Sequence, residues 1–229
     1  MKVTLSFEES ESSDVSIMVD ALRASSTIIL ALNNFKRVIP CFTPEKALEL
    51  KNELGGIIAG ERNGAKIEGF ELGNSPSEIK DFKTSEELLI LTTTNGTRIL
   101  ENMHSTVLVG SMINAKSVGL KSVELAESHI DVVMAGVKGT FAIEDYLAAG
   151  EILYWIKENL NDCELSEYAK EAIADTRDYE SLKESFLNSR TAKKLIDLGY
   201  ASDVELCCLR NITENVAIYE KPEIKLIND

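Results

Sequence analysis

The sequence predicts an α/β protein whose largely parallel sheet is covered by helices on both faces. Two observations carry that reading. Short continuous apolar runs, such as Val15-Ser16-Ile17-Met18-Val19 and Leu88-Leu89-Ile90-Leu91, have the composition of strands buried on both sides. They alternate with longer segments whose apolar residues recur at helical spacing. No internal repeat, low-complexity tract or Pro/Gly linker interrupts the chain. Residues 1–229 therefore read as one domain with a helical excursion at about 160–200.

Val15 to Val19 is the first strand, with Asp20 at its C-terminal end. Ala24 to Asn34 reads as a helix, with Ser25-Ser26-Thr27 in its first turn and Ile28, Ile29 and Leu32 inward. Arg37 to Phe42 is a strand, and Pro44 to Leu54 a helix with Ala47, Leu50 and Leu54 on one face. Gly56 to Ala59 is a strand that leads into a long loop, Gly60 to Glu78. Its charged residues and three glycines exceed what a plain connection needs, and a loop of that length in a compact domain is usually functional. Ile67, Phe70 and Leu72 predict that it packs on the body and walls a binding site. It ends in Ser75-Pro76-Ser77-Glu78, a helix start in which Ser75 caps, Pro76 takes the first helical position and Glu78 returns to the cap N–H. Leu88 to Leu91 is a strand leading into Thr92-Thr93-Thr94-Asn95-Gly96-Thr97 and a short helix ending near Asn102. Thr106 to Val109 is a strand, a helix begins near Asn114, Ile130 to Ala135 is a strand, and a long helix spans about Ile143 to Leu160.

The last third differs. Leu165, Tyr168, Ala169, Ala172 and Ile173 form an amphipathic stripe. Helices follow at Tyr179 to Leu187 and Thr191 to Leu198, with Ser189 as cap and Gly199 as stop. Val204 to Leu209 and Val216 to Tyr219 read as late strands.

The net charge of −14 opposes broad attraction to nucleic acid or an anionic membrane. If the ligand is an anion, local arginines, lysines or a metal must reverse that field. No apolar run is long enough to span a bilayer, and the N-terminus lacks a signal-peptide core. Cys41, Cys163, Cys207 and Cys208 have no metal-ligand spacing. Reduced thiols in a cytoplasmic protein are expected.

In parallel sheets, ligands sit beyond the carboxyl ends of the strands. Asp20, Glu61-Arg62, Thr92 to Gly96, Gly110-Ser111 and Gly136 to Asp145 all follow strands and can converge on one edge. Asp20, Glu61 and the Glu144-Asp145 pair offer hard oxygens that suit Mg²⁺, which takes one or two carboxylates and keeps waters. Arg23 and Arg62 can fork onto phosphate, carboxylate or sulfonate oxygens, or pair internally with Asp20 or Glu61. Lys66 and Lys138 are weaker candidates. Ser25-Ser26-Thr27 and Asn95-Gly96-Thr97 either cap their helices or cradle an anion. A Walker loop, a complete dinucleotide glycine fingerprint, the cysteine-dependent phosphatase spacing and the paired aspartates of haloacid-dehalogenase phosphatases are all missing. His104 and His129 precede strands, on the wrong edge for catalysis.

Several blocks in order resemble one family. Asp20-Ala-Leu-Arg23-Ala-Ser-Ser-Thr-Ile28, Gly60-Glu-Arg-Asn-Gly64, Gly69-Phe-Glu-Leu-Gly-Asn-Ser-Pro76 and Thr92-Thr-Thr-Asn-Gly-Thr97 look like the ComB family, the 2-phosphosulfolactate phosphatases of coenzyme M biosynthesis. Glu144-Asp145, Ala149-Gly150, Ser189 and Asp203-Val204 fit the same pattern. Ala192, where a family glycine is expected, and Val216-Ala217-Ile218 depart from it. The resemblance implies a ComB-like three-layer α/β/α fold with a mixed, largely parallel sheet. It also implies a Mg²⁺-dependent phosphatase that converts 2-phospho-3-sulfolactate to 3-sulfolactate. The expected metal and water-activating residues are Asp20, Glu61 and Asp145. The expected substrate contacts are Arg23, Arg62, Ser25, Ser26, Asn74, Ser75, Thr94 and Asn95. A covalent route through Asp20 or Ser25, another phosphorylated hydroxy acid as substrate, and a non-catalytic anion-binding role stay open, as does a homo-oligomeric state.

Overall fold

The computed structural model describes residues 1–227, apart from the side chains of residues 97, 98 and 101. The part of the Asn95-Gly96-Thr97 reading that rests on the Thr97 hydroxyl lies outside the described residues. The elements are β1 Lys2–Phe7, β2 Val15–Val19, α1 Ala24–Ala31, β3 Arg37–Cys41, α2 Pro44–Leu54, β4 Ile57–Arg62, β5 Ala65–Lys66, α3 Pro76–Asp81, β6 Leu88–Thr92, α4 Gly96–Asn102 and β7 Thr106–Gly110. A 3-10 turn at Met112–Asn114 leads into α5 Ala115–Leu125, β8 His129–Met134, α6 Ile143–Glu158 and β9 Glu164–Leu165. Four helices follow, α7 Glu167–Asp175, α8 Tyr179–Leu187, α9 Arg190–Asp197 and α10 Ala201–Cys207, and the hairpin β10 Ala217–Glu220 and β11 Glu223–Leu226 closes the chain.

The sheet order is β5-β4-β6-β3-β11-β10-β7-β2-β8-β1-β9. Two parallel blocks, β7-β2-β8-β1 and β4-β6-β3, are joined by the β10-β11 hairpin through antiparallel pairings. Alternate residues of the strands feed opposite faces. Ile17 and Val19 pack with α5 and α6, whereas Met18, Val109, Leu89 and Leu91 share a cluster with Ile28, Ile29 and Ile79 of α1 and α3. Leu88 and Ile90 face Ala47 of α2. This is a three-layer α/β/α arrangement around a mixed, mostly parallel sheet.

The strand ends do not lie on one straight edge. Four strands separate β2 from β6 in the ladder, about 24 Å in a flat sheet at ~4.8 Å per strand. Yet a Cβ added to Gly96, just after β6, would stand 3.1 Å from Asp20 Oδ2, just after β2. Sheet twist and the reach of the turn at residues 93–95, between β6 and Gly96, together bring the two blocks to one site.

Local signals set most elements. Thr43 Oγ1 accepts the Lys46 N–H at 3.2 Å to start α2. Ser189 Oγ accepts the Ala192 N–H at 3.0 Å to start α9. Ser75 Oγ accepts the Glu78 N–H at 3.2 Å, but Glu78 returns to the Gly73 N–H rather than to the cap's own. The Gly60–Glu78 stretch is more regular than a loop. It finishes β4, turns through Asn63 and Gly64 at φ 56° and 91°, and pairs back as β5. Phe70 and Leu72 are buried beneath it.

One expected strand becomes a helix, and strands with no sequence expectation appear, β1 and β11 among them. Val204 to Leu209 is not a strand, because Asp203, Val204, Cys207 and Cys208 are the buried residues, a helical stripe that α10 packs inward. β1 was hidden by its polar residues. Thr4 and Ser6 are interior because their hydroxyls donate to Asp131 Oδ1 at 2.6 and 2.9 Å. β11 is a further strand, joining the C-terminal end to β3. The excursion α7–α9 packs through Ile173, Leu182, Phe186 and Leu195 onto the same apolar cluster as α6.

The α6–α7 contact depends on a missing side chain. A Cβ at Gly150 would stand 2.3 Å from the Ala172 carbonyl oxygen, which is backbone and cannot step aside. Gly150→Ala should cost about 2 kcal/mol or more and lower the thermal unfolding midpoint by about 4 °C or more. A midpoint unchanged or raised would show that this packing is looser than described.

Candidate active site

The carboxyl ends of β2, β4, β6 and β8 open into one cavity of about 410 Å³. Asp20, Glu61 and Glu144 line its floor, Asn74, Thr93, Thr94 and Asn95 its sides with the buried Arg23 among them, and Lys138, Arg190 and Lys194 its cationic rim. An acidic protein has gathered its positive charge where an anion would enter.

Asp20 and Glu61 are each held by turns that follow the strands. Asp20 is buried, and its Oδ1 accepts the Ala24 N–H at 3.3 Å. Burial pushes its carboxyl up to about 7, against the lowering by the Ala24 N–H, and the nearby Glu61 and Glu144 charges push the same way as burial. Glu61 is clamped on both oxygens. Oε1 accepts from the Thr94 N–H at 3.0 Å and Thr94 Oγ1 at 2.6 Å, and Oε2 from the Gly64 N–H at 2.7 Å. The tight Asn63-Gly64 turn thus returns a backbone donor to the carboxylate that precedes it.

Glu144 and Asp145 open α6 side by side and part company. Glu144 faces the cavity. Asp145 is outside the wall, where its Oδ1 accepts the Ala21 N–H at 2.8 Å and its Oδ2 the Gly136 N–H at 2.9 Å. It ties the ends of β2 and β8 to the start of α6. Burial first, then Asp20 and Glu144, hold its carboxyl well above the ordinary carboxylate range.

Asn74 is buried in the wall, and its Oδ1 has no hydrogen-bond partner among the described residues. An oxygen in that condition calls for a donor or a cation. Asn95 Oδ1 accepts the Lys138 N–H at 3.2 Å. Lys138 and Gly139, at φ 50° and 77°, form the two central residues of a tight turn closed by Val137 and Thr140. That turn carries Lys138 to the rim.

The other expected contacts serve the frame. Ser25 Oγ accepts the Asp20 N–H at 2.9 Å, and Ser26 Oγ donates to the Ala21 carbonyl at 3.0 Å, both away from the wall. Ser25 is thereby turned from the place a nucleophile would occupy. Arg62 donates to the carbonyls of Glu61 and Phe42, each at 2.6 Å, and does not line the cavity. Ser75 caps α3 and donates to Asp203 at 2.7 Å. Arg190 and Lys194 were not foreseen. The Ser189 cap locates the start of their helix, but nothing local announces that it lies against strand ends far earlier in the chain.

The floor has a consequence for stability. Asp20's folded-state value lies above its ordinary 3.8, so the folded form holds a proton that the unfolded chain releases. Its contribution is complete below about pH 4 and is lost as pH rises through about 7. Metal-free protein should lose on the order of 2 kcal/mol from this group between pH 5 and 8, and Asp20→Asn should flatten that fall. Thermal unfolding of both proteins across this range checks it, and equal slopes would contradict it.

Comparison with known proteins gives this geometry a family. The model of the 2-phosphosulpholactate phosphatase family matches residues 3–222. A protein of Methanothermobacter thermautotrophicus named 2-phosphosulfolactate phosphatase is 44% identical over 229 residues, covering 100% of this chain and 97% of its own. One of Methanocaldococcus jannaschii with the same name is 37% identical, covering 96% of each. A Clostridium acetobutylicum protein named probable 2-phosphosulfolactate phosphatase is 36% identical, covering 95% of this chain and 94% of its own. With a matching pattern along almost its whole length, and the strand-end residues of that pattern meeting in one cavity, the chain belongs to the 2-phosphosulpholactate phosphatase family.

Proposed function

We propose that the protein is a Mg²⁺-dependent phosphatase that hydrolyses 2-phospho-3-sulfolactate to 3-sulfolactate and phosphate, a step of coenzyme M biosynthesis in the cytoplasm. The hydrolase class, acting on phosphoric monoesters, follows from the family. The observation that carries the finer reading is the pairing of a buried acidic floor with a cationic rim in one cavity. A substrate with phosphate, carboxylate and sulfonate groups needs several positive partners, and the wall offers the buried Arg23 with Lys138, Arg190 and Lys194 at the rim. No helix of the described residues is long and apolar enough to cross a membrane.

The floor fits a hard cation of modest protein ligation. No group of three or more His, Cys, Asp or Glu side chains among the described residues is placed to hold a metal. Mg²⁺ commonly takes one or two carboxylates, keeps waters and completes its shell with substrate phosphate. Asp20 and Glu61 are the carboxylates we assign to it, and the unpartnered Asn74 Oδ1 is a neutral oxygen of the same hardness. Burial first, and then the Glu61 and Glu144 charges, disfavour the ionised Asp20 carboxylate, and a cation on the floor would offset both. Bound there, Mg²⁺ supplies Lewis-acid stabilisation of the phosphoryl charge. Asp145 supports that floor from behind.

The chain's own groups then do three things. Arg23, Lys138, Arg190 and Lys194 neutralise and orient the anionic substrate, the main requirement of a loose phosphoryl-transfer transition state. Thr94 and Gly64 hold Glu61 on both oxygens, so its carboxylate does not reorganise during the reaction. Glu144, inside the wall, is placed to exchange a proton with water or with the departing hydroxyl.

Phosphate release from a panel of phosphorylated hydroxy acids, with and without Mg²⁺, tests the reading. Turnover of phosphosulfolactate that collapses on chelation is expected. Preference for another member of the panel would move the substrate, and tight binding without release would remove the activity. Asp20→Asn should lower kcat/KM about 100-fold or more, ~3 kcal/mol of transition-state stabilisation, and Glu61→Gln about tenfold or more. Near-normal Mg²⁺-dependent turnover in both variants would overturn the metal assignment.

A further inference from the structure

Asp203 is fully buried on α10, outside the cavity wall, and 180 residues from the arginine it holds. Its Oδ2 accepts from Arg23 Nη1 at 2.8 Å. Its Oδ1 accepts from Ser75 Oγ at 2.7 Å, from the Ser77 N–H at 3.1 Å and from Ser77 Oγ. Arg23 lines the cavity, donates through Nη2 to the Gly64 carbonyl at 2.6 Å, and stacks over the Tyr200 ring at 4.5 Å. Gly64 is also the residue whose N–H holds Glu61.

One carboxylate therefore governs several parts of the site. It holds Arg23 directly, the Asn74–Ser75 corner through the Ser75 hydroxyl, and, by way of Arg23, the turn that clamps Glu61. A buried ion pair is weak support for stability, because desolvation of both charges offsets most of their attraction. This pair has both side chains almost wholly buried, at 2% and 0% exposure, so a gain in stability does not account for it. Its geometry accounts for it differently. With one amino group on Asp203, the other on Gly64 and its plane over Tyr200, the guanidinium of this cavity-lining arginine is held in one orientation, and two such bonds leave part of its five-donor capacity unused.

We propose that Asp203 is a positioning residue, holding Arg23 and the Asn74–Ser75 corner in the orientation in which they meet the phosphoryl group. The kinetic part rests on the hydrolase reading. The binding part does not, since inorganic phosphate serves as its probe.

The test is a cycle of Arg23→Gln, Asp203→Asn and the double variant, read by thermal unfolding, calorimetric affinity for inorganic phosphate and steady-state kinetics. Arg23→Gln leaves Asp203 with its Ser75 and Ser77 donors, and the double variant buries no uncompensated charge, so these two keep the test alive if Asp203→Asn does not fold. Asp203→Asn should raise KM and weaken phosphate binding about tenfold, with a smaller change in kcat. Asp203→Asn keeps an amide oxygen that can accept from Ser75 and Ser77, so in the Arg23→Gln background it should change either quantity by less than threefold. Wild-type KM and phosphate affinity in Asp203→Asn would overturn the proposal. So would a further loss of threefold or more in the double variant relative to Arg23→Gln. If wild-type protein binds phosphate but turns over no phosphosulfolactate, the hydrolase reading fails, and the phosphate cycle still decides the role of Asp203.

Discussion

Gathering Asp20, Glu61 and Glu144 into the buried end of one cavity, with Asp145 directly behind them, is the constraint on which the site depends. Like charges out of water repel, and Asp20, Glu61 and Asp145 are held against that repulsion by hydrogen-bond donors. Backbone N–H groups supply most of them: Ala24 for Asp20, Thr94 and Gly64 for Glu61, Ala21 and Gly136 for Asp145. The turns after the strands are shaped to deliver those donors. The positive φ of Asn63 and Gly64 belongs to one such turn, and the close approach of Gly96 to Asp20 to another. Their geometry serves the carboxylates as much as the chain reversal.

The same constraint explains the twisted sheet. Two parallel blocks, each with its strand ends decorated, produce a single site only if those ends meet, and in a flat sheet they would stand far apart. The β10-β11 hairpin is the seam between the blocks, and α1 and α3 fill the layer they share. The excursion α7–α9 then closes the open side. It adds Arg190 and Lys194 to the rim, and α10 behind it adds the Asp203 anchor. Acidic floor, cationic rim and anchor are drawn from segments spread between residues 20 and 203 of the chain.

Much of this was legible in the residues. Continuous apolar runs located most of the main strands, helix caps at Ser75 and Ser189 located two helix starts, and the rule that ligands lie beyond strand ends brought Asp20, Glu61, Thr94 and Asn95 to the cavity wall, while Asn74 came with the family resemblance. Physical reasons account for what was not. Neighbouring residues on a helix point about 100° apart, so periodicity alone could not tell that Glu144 faces the cavity and Asp145 the frame. Hydroxyls at helix starts have local uses as good as ligand binding, and Ser25, Ser26 and Ser75 took them. Arg62 found carbonyl partners on its own side of the strand. The run at Val204 satisfied two periods at once, and burial of Asp203 and Val204 beside Cys207 and Cys208 chose the helix. Contacts such as Arg23 with Asp203 are products of the tertiary fold and leave no local mark.

The central claim is that the acidic floor is the cation site of a phosphoryl-transfer cavity. Crystals soaked with Mn²⁺, a hard octahedral substitute for Mg²⁺, together with inorganic phosphate would test it most directly through anomalous scattering. The account predicts one strong peak within ligand distance of Asp20 or Glu61, with phosphate between that peak and Arg23. A peak bound elsewhere, or a phosphate held at the rim with no cation on the floor, would contradict it.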